Sequence, residues 1–160
     1  MLTAGNPDAL SGSIWADLYA GTGAVGIEAL SRGAGHVYFV ESSRAAANLV
    51  RQNLESLQID TGFDLLHSEV QHALRDLQKK NARLDYVFLD PPYRLEADYG
   101  KTLDLLSQSG LLTDNSTVIA EHSMKFELLE AAGSLKRYRK LVQGDAALSF
   151  YSTSQLKTSN

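Results

Sequence analysis

Residues 14 to 26 read IWADLYAGTGAVG, an apolar run that ends in an acid and then a glycine turn. Gly21, Gly23 and Gly26 form a G-x-G-x-x-G pattern. Ala24 to Arg32 continues with helical spacing at Val25, Ile27, Ala29 and Leu30, and Gly33 sits where a C-terminal glycine cap belongs. A strand that feeds a glycine turn, which in turn opens a helix, is the first unit of a doubly wound α/β sheet. The next strand, His36 to Val40, ends at Glu41, twenty positions after Gly21. Nicotinamide-dinucleotide proteins share that spacing, so the turn alone points to a nucleoside ligand and no further.

Strand and helix signals alternate outward from this unit. Ser43 can cap a helix running to about Leu57, with Leu49, Val50, Asn53, Leu54 and Leu57 on its inner stripe. Phe63 to His67 reads as a third strand. Glu69 to Lys80 reads as a helix with Val70, Ala73, Leu74 and Leu77 on one face. Leu84 to Leu89 (LDYVFL) is nearly all apolar, as befits the middle of a covered parallel sheet. A helix holding Leu103 to Leu106, a fifth strand over Ser116 to Glu121 and a helix around Phe126 to Ala132 follow. Leu135 to Val142 and Ala146 to Tyr151, joined across Gly144, form an antiparallel hairpin. The expectation is an α/β fold with five βα units and a C-terminal antiparallel hairpin in a mostly parallel seven-stranded sheet. It forms one domain over residues 1–152, with a disordered tail at 153–160.

Composition bounds the function. The chain has 160 residues, 15 Lys+Arg against 19 Asp+Glu, a formal net charge of -4 and no cysteine. Its 44% hydrophobic and 21% charged content suits a globular domain rather than a disordered or membrane-embedded one. Without cysteine there is no disulfide, thiolate metal site or cysteine nucleophile. The start, MLTAGNPDAL, has no signal-peptide pattern, so the cytoplasm is the default location. Mild acidity argues against a broad nucleic-acid footprint.

Ligands of open α/β sheets bind at the carboxyl ends of the strands. There Asp17 separates two cofactors. It stands four residues before Gly21, where a dinucleotide would place its pyrophosphate and meet repulsion. S-adenosylmethionine has no phosphate and carries a sulfonium and an ammonium, so a rim made by Asp17, Glu41 and Asp90 suits it. Asp90-Pro91-Pro92-Tyr93 follows the apolar strand directly. The two prolines fix the backbone path and leave carbonyl acceptors without ladder partners. One carboxylate and one carbonyl can accept both hydrogens of an exocyclic amine while Tyr93 stacks on the base, a contact of about 1–3 kcal/mol. The amine lone pair is then aimed at a methyl group, with the rate gain coming from alignment and electrostatics.

DLYAGTGAVGIEALSRGA, VYFVE, YVFLDPPY, the pair Glu121-His122 and the closing GDAALSFY together resemble the bacterial small-subunit rRNA (guanine-N2)-methyltransferases of the D type. The resemblance runs from about Ile14 to Tyr151. It implies a Rossmann-like class I methyltransferase fold and methyl transfer from S-adenosylmethionine to the N2 amine of a guanine in small-subunit rRNA, naked or in a 30S particle. It also implies that Asp17, Gly21 and Gly23 contact the methionine part and Glu41 the ribose. The adenine would meet Ser68 and Glu69, and Asp90 to Tyr93 would hold the guanine. Where the family usually has Gly-Asp after the third strand, this chain has Ser68-Glu69, and Glu69 reads equally as a first-turn acid of the next helix. Family members also carry a basic N-terminal segment with a Thr-Arg-Pro motif. The sequence opens almost at the first strand, so the resemblance implies a shortened chain or a lost segment.

Other residues are less decisive. Arg94 could meet a phosphate or a flipped base. Lys140, with Lys136, Arg137 and Arg139, is the best remaining RNA-contact cluster, although a solvated strand face fits as well. The four histidines lack metal-ligand spacing, so no metal is expected, and His122 reads as structural or pocket-lining. Trp15 reads as core. A monomer with no membrane partner is expected. Rival readings are an amino-methyltransferase of DNA or another RNA, a cofactor-binding remnant inactive without the N-terminal segment, and a dinucleotide oxidoreductase.

Overall fold

The computed structural model describes residues 10–92 and 95–154. The chain order is β1 (Ile14–Leu18), α1 (Ala24–Ser31), β2 (His36–Val40), α2 (Arg44–Ser56), β3 (Phe63–Leu66) and α3 (Val70–Lys79). It continues with β4 (Leu84–Leu89), α4 (Ala97–Gln108), β5 (Leu112–Ser123), β6 (Ala131–Ala132), β7 (Leu135–Gln143) and β8 (Ala146–Ser152). All strands join one sheet in the order β3-β2-β1-β4-β5-β8-β7-β6. The first five in that order run parallel; β8 lies antiparallel against β5, and β7 against β8. The mostly parallel sheet with a closing hairpin is the expected fold, and β6 adds a two-residue eighth strand at the edge. The expected tail lies mainly at 155–160, outside the described residues.

Strand alternation sorts the core into two layers. Ala16, Leu18, Val87, Leu89 and Val118 face one side and meet Leu74 and Leu77 of α3 and Leu103 and Leu106 of α4. Trp15, Val37, Phe39, Phe88 and Ile119 face the other and meet Ile27 of α1 and Val50 and Leu54 of α2. Trp15 is core as expected, 3% exposed and stacked on Tyr86. The chain winds outward through α1 and α2 on one face, then returns past β1 to β4 through α3 on the other. The direction of winding therefore reverses between β1 and β4, and a crevice opens there at the carboxyl ends of the strands.

Two caps agree with the sequence. Ser43 is the N-cap of α2, its hydroxyl accepting from the Ala46 N–H at 3.3 Å. Gly33 follows α1 with φ 103, and its N–H and that of Ala34 return to the Leu30 and Ala29 carbonyls.

The helix expected around Phe126 to Ala132 is absent, leaving four helices among the described residues. So short a segment leaves most of its backbone groups unpaired as a helix, and neighbouring strands supply partners instead. Tyr151 Oη donates to the Leu129 carbonyl at 2.5 Å, and the Arg137 N–H donates to the Glu130 carbonyl at 2.8 Å. The segment thus runs extended into β6, with Leu128 and Ala132 buried. β5 starts four residues earlier than expected, because Leu112 pairs with Leu84 ahead of an irregularity and Ser116 Oγ donates to the Leu84 carbonyl at 2.6 Å.

Candidate active site

The glycine turn is built from left-handed backbone. Tyr19, Gly21 and Gly23 have φ of 59, 59 and 82. Glycine adopts such angles freely, whereas a tyrosine there is strained and must be held by its surroundings. Tyr19 is pinned at its far end, where its hydroxyl meets Thr102 Oγ1 of α4 at 2.9 Å. The Ala20 N–H donates to the Val40 carbonyl at 2.9 Å, and Asn53 Nδ2 of α2 donates to the Thr22 carbonyl at 2.9 Å. Gly26 is required for space: a Cβ there would stand 2.3 Å from Phe39 Cε1. The third glycine therefore lets α1 lie directly on β2.

Asp17 and Glu41 both take backbone donors from this turn. Asp17 is 2% exposed, and its Oδ2 accepts from the Gly26 N–H in the first turn of α1 at 3.0 Å. Burial pushes its carboxyl up to about 7; the Gly26 N–H pulls it down, and the charges of Asp90 and Glu41 add to the rise. Glu41 uses both oxygens, Oε1 accepting from Gly21 N–H and Oε2 from Ser43 N–H, each at 2.8 Å. A carboxylate has about four lone-pair directions, so Glu41 keeps acceptor capacity toward the cavity while the turn fixes its orientation.

The opposite wall comes from β4, β5 and α4. Asp90 follows β4, Pro91 is buried beneath it and Pro92 is exposed. β4 and β5 pair in parallel with Leu89 opposite Ala120, so Asp90, just past the end of β4, comes level with Glu121 inside β5. Their carboxyl groups approach closely enough that a hydrogen bond to Glu121 counts among the causes that raise the Asp90 carboxyl. The Asp90 carboxyl is pushed up to about 7 by desolvation against the wall, by that hydrogen bond and by the charge of Glu121. Tyr99 of α4 is 3% exposed and donates from its hydroxyl to the Glu121 carbonyl at 2.6 Å. His122 is held at both nitrogens, to the Ser123 carbonyl at 3.0 Å and to Ser149 Oγ at 2.8 Å, and burial lowers its pKa. It is therefore a neutral, fixed part of the wall.

These residues enclose an open cavity of about 900 Å³ reaching from Ala20 and Gly21 across Asp17 and Asp90 to Glu121, His122 and Ala146. Asp17, Glu41, Glu69, Asp90, Asp98 and Glu121 all line it, while no Lys or Arg does so among the described residues. The acidic rim expected from three residues thus holds six.

Not every expected residue reaches the cavity. Glu69 caps the start of α3 without a side-chain cap bond and lines the cavity, whereas Ser68 turns to the Glu69 carbonyl and lines a separate cleft with it. Gly23 shapes the turn without lining the cavity. Tyr93 and Arg94 lie outside the described residues. Lys140 does not line the cavity and pairs with Glu127 at 3.8 Å. The basic cluster in β7 does not form one face, because the strand's register shifts between Arg137 and Arg139 and places them on opposite sides. Arg137 joins Lys140 at Glu127, at 3.5 Å, while Arg139 lies over the Phe150 ring on the other side. Glu121, Asp98 and Tyr99 were not singled out as site residues. An acid at the end of the strand after Asp90 was the available signal for Glu121; none pointed to the α4 residues.

Among known proteins, the family model described as conserved hypothetical protein 95 matches residues 4–152. A Bacillus subtilis (strain 168) protein, YlbH, provisionally named an rRNA methyltransferase, is 34% identical over 135 residues, covering 84% of this chain and 73% of that one. The ribosomal RNA small subunit methyltransferase D of Escherichia coli (strain K12) is 30% identical, covering 84% of this chain and 66% of that one. Among solved structures, the Escherichia coli protein yhhF, provisionally named a methyltransferase, superposes with TM-score 0.79 at 28% identity, covering 96% of this chain and 84% of that one. The fold extends to SMU.776, solved with SAH, at TM-score 0.71 and 15% identity, covering 89% of this chain and 46% of that one.

Proposed function

Since the chain belongs to the conserved hypothetical protein 95 family, that of the small-subunit rRNA methyltransferase D proteins, we propose that it is an S-adenosylmethionine-dependent rRNA methyltransferase acting on the exocyclic N2 amine of a guanine in small-subunit rRNA. The observation that carries this reading is one cavity with a glycine turn at one end, Asp90-Pro91-Pro92 at the other and six carboxyl side chains between them. A dinucleotide would place a pyrophosphate beside Asp17 and Glu41, whereas a sulfonium and an ammonium gain from the same charges.

The donor set fits the cofactor. Glu41, oriented by the Gly21 and Ser43 N–H groups, accepts from the ribose hydroxyls. Asp17 and the Gly21 to Gly23 turn hold the methionine part, and Glu69, which lines the cavity, accepts from the adenine amine. When bound, S-adenosylmethionine supplies the methyl group. The chain's own task is to hold the guanine. Asp90 and the Pro91 carbonyl accept from the N2 amine, which localises its lone pair, and the carboxylates nearby favour positive charge forming on that nitrogen. No strong base is needed, because the nitrogen sheds its proton once it has become cationic.

The test is methyl transfer from labelled S-adenosylmethionine to 30S particles, to naked small-subunit rRNA and to duplex DNA, with nucleoside mass spectrometry of the products. N2-methylguanosine in the rRNA is expected. Methylated bases in DNA alone, or cofactor binding with no methylated product, would overturn the assignment.

A further inference from the structure

Asp90 and Glu121 stand on neighbouring chain segments in register and line the same cavity, which has a chemical consequence for the substrate. Ionised carboxylates only accept hydrogen bonds. Two of them side by side must hold a proton between them or meet two donors from outside. The backbone that carries Glu121 is fixed at this position. Its backbone carbonyl is gripped by Tyr99, and its strand neighbour His122 is fixed at both nitrogens.

The Watson–Crick edge of guanine offers adjacent donors, N1–H and the N2 amine. Adenine and cytosine place a lone pair next to their amine, at N1 and N3 respectively. We infer that Glu121 is a specificity-determining residue that accepts the guanine N1–H while Asp90 accepts from the N2 amine, so that the carboxylate pair selects guanine over other amine-bearing bases. This rests on the guanine-N2 reading above and deepens it. For adenine or cytosine, the second carboxylate would face a ring lone pair. Such a mismatch rejects by repulsion as well as by a missing bond.

2-Aminopurine separates the two contacts, because it keeps the amine at C2 but carries a lone pair at N1. The methylated position is first mapped by mass spectrometry. Small-subunit rRNA ligated with guanosine or 2-aminopurine riboside at that position is then assayed with the full chain. The wild-type protein is expected to favour guanosine by about 100-fold or more in kcat/KM. Glu121→Gln can donate to the N1 lone pair, so it is expected to lower guanosine turnover and bring the two substrates to within about tenfold, with cofactor affinity unchanged by calorimetry. Wild-type methylation of both substrates at similar rates would overturn the inference without needing any variant. So would a Glu121→Gln protein that binds cofactor normally yet keeps the wild-type preference. A wild-type protein that makes no N2-methylguanosine at all would instead remove the reading on which the inference rests, and the inference with it.

Discussion

The two ends of the cavity use the same side chain in opposite ways. At the glycine turn, Asp17 and Glu41 are tied to backbone N–H groups of Gly26, Gly21 and Ser43. At the other end, Asp90 and Glu121 face each other, and among the described residues no backbone N–H donates to either carboxylate. The first pair is part of the scaffold: removing it would leave backbone donors without acceptors. The second pair is held in place by its strands but keeps its acceptors for an incoming ligand. On the proposed function, a conformation-building carboxylate and a substrate-reading carboxylate are told apart by what donates to them.

Asp90→Ala should give the largest effect and test this division most directly. Methyl transfer is expected to fall on the order of a thousandfold, the scale of losing a positioned electrostatic contact in a transition state. Cofactor affinity should change less than tenfold, and thermal stability should stay level or rise, because a carboxyl–carboxyl contact is removed. Single-turnover kinetics, calorimetry and a melting curve read these three quantities. Undiminished turnover would remove Asp90 from the chemistry.

Glu41→Ala should behave in the reverse manner. Two backbone donors lose their acceptor, which costs roughly 1–2 kcal/mol at this half-buried site. Affinity for S-adenosylhomocysteine should fall roughly 30- to 100-fold, from the lost charged hydrogen bonds to the ribose. With cofactor saturating, the rate should recover to within a few-fold of wild type. A Glu41→Ala protein with normal stability and affinity but a lost rate would put Glu41 with Asp90 and dissolve the distinction.

The difference in wiring also explains how much the sequence could reveal. The turn half was legible because its contacts are local: Gly21, Gly23 and Gly26 set the backbone, and Glu41 follows at a spacing fixed by one helix and one strand. Asp90-Pro91-Pro92 was legible because two prolines after an apolar strand are unusual. Glu121 was not assigned a role, since its significance depends on β5 lying beside β4 in register, a pairing between distant parts of the chain. Tyr99 was hidden for a similar reason: α4 begins well before the apolar Leu103 to Leu106 that marked it. Phe126 to Ala132 misled because Glu, Leu and Ala favour helix locally, while Tyr151 and Arg137, far along the chain, supply its actual partners.

Titration separates the two ends a third way. Asp17 is raised in the folded state from 3.8 to about 7. Its stabilising protonated form is fully present below pH 3.8 and is lost as pH rises through about 7. The free protein should therefore melt lower at pH 8 than at pH 5, and a cationic cofactor should narrow that difference. Ionised Asp90 accepts from the amine more strongly than its protonated form and favours positive charge on the nitrogen, so kcat at saturating cofactor should fall as pH drops below about 7, approaching tenfold per unit. The groups around it are Asp17, Glu41, Glu69, Asp98, Tyr99, Glu121 and His122. Glu121→Gln removes the charge and the carboxyl contact that raise Asp90, so its profile should move to lower pH. A profile that stays in place would assign the titration to Asp17.

Tyr99→Phe should have the smallest effect, and its direction is informative. The phenol is 3% exposed, its ring packs beside His122 and Phe126, and its hydroxyl donates to the Glu121 carbonyl at 2.6 Å. Phenylalanine keeps the ring and deletes one hydrogen bond, a loss of about 1 kcal/mol in stability. Only the orientation of the strand end is altered, so kcat/KM on guanine should fall a few-fold, with cofactor affinity unchanged. Preference for guanosine over 2-aminopurine riboside should weaken by a similar small factor. If the loss appeared in cofactor affinity instead, Tyr99 would be acting through Asp98 or Tyr19 on the turn. The boundary between the two halves would then run through α4 rather than between β1 and β4.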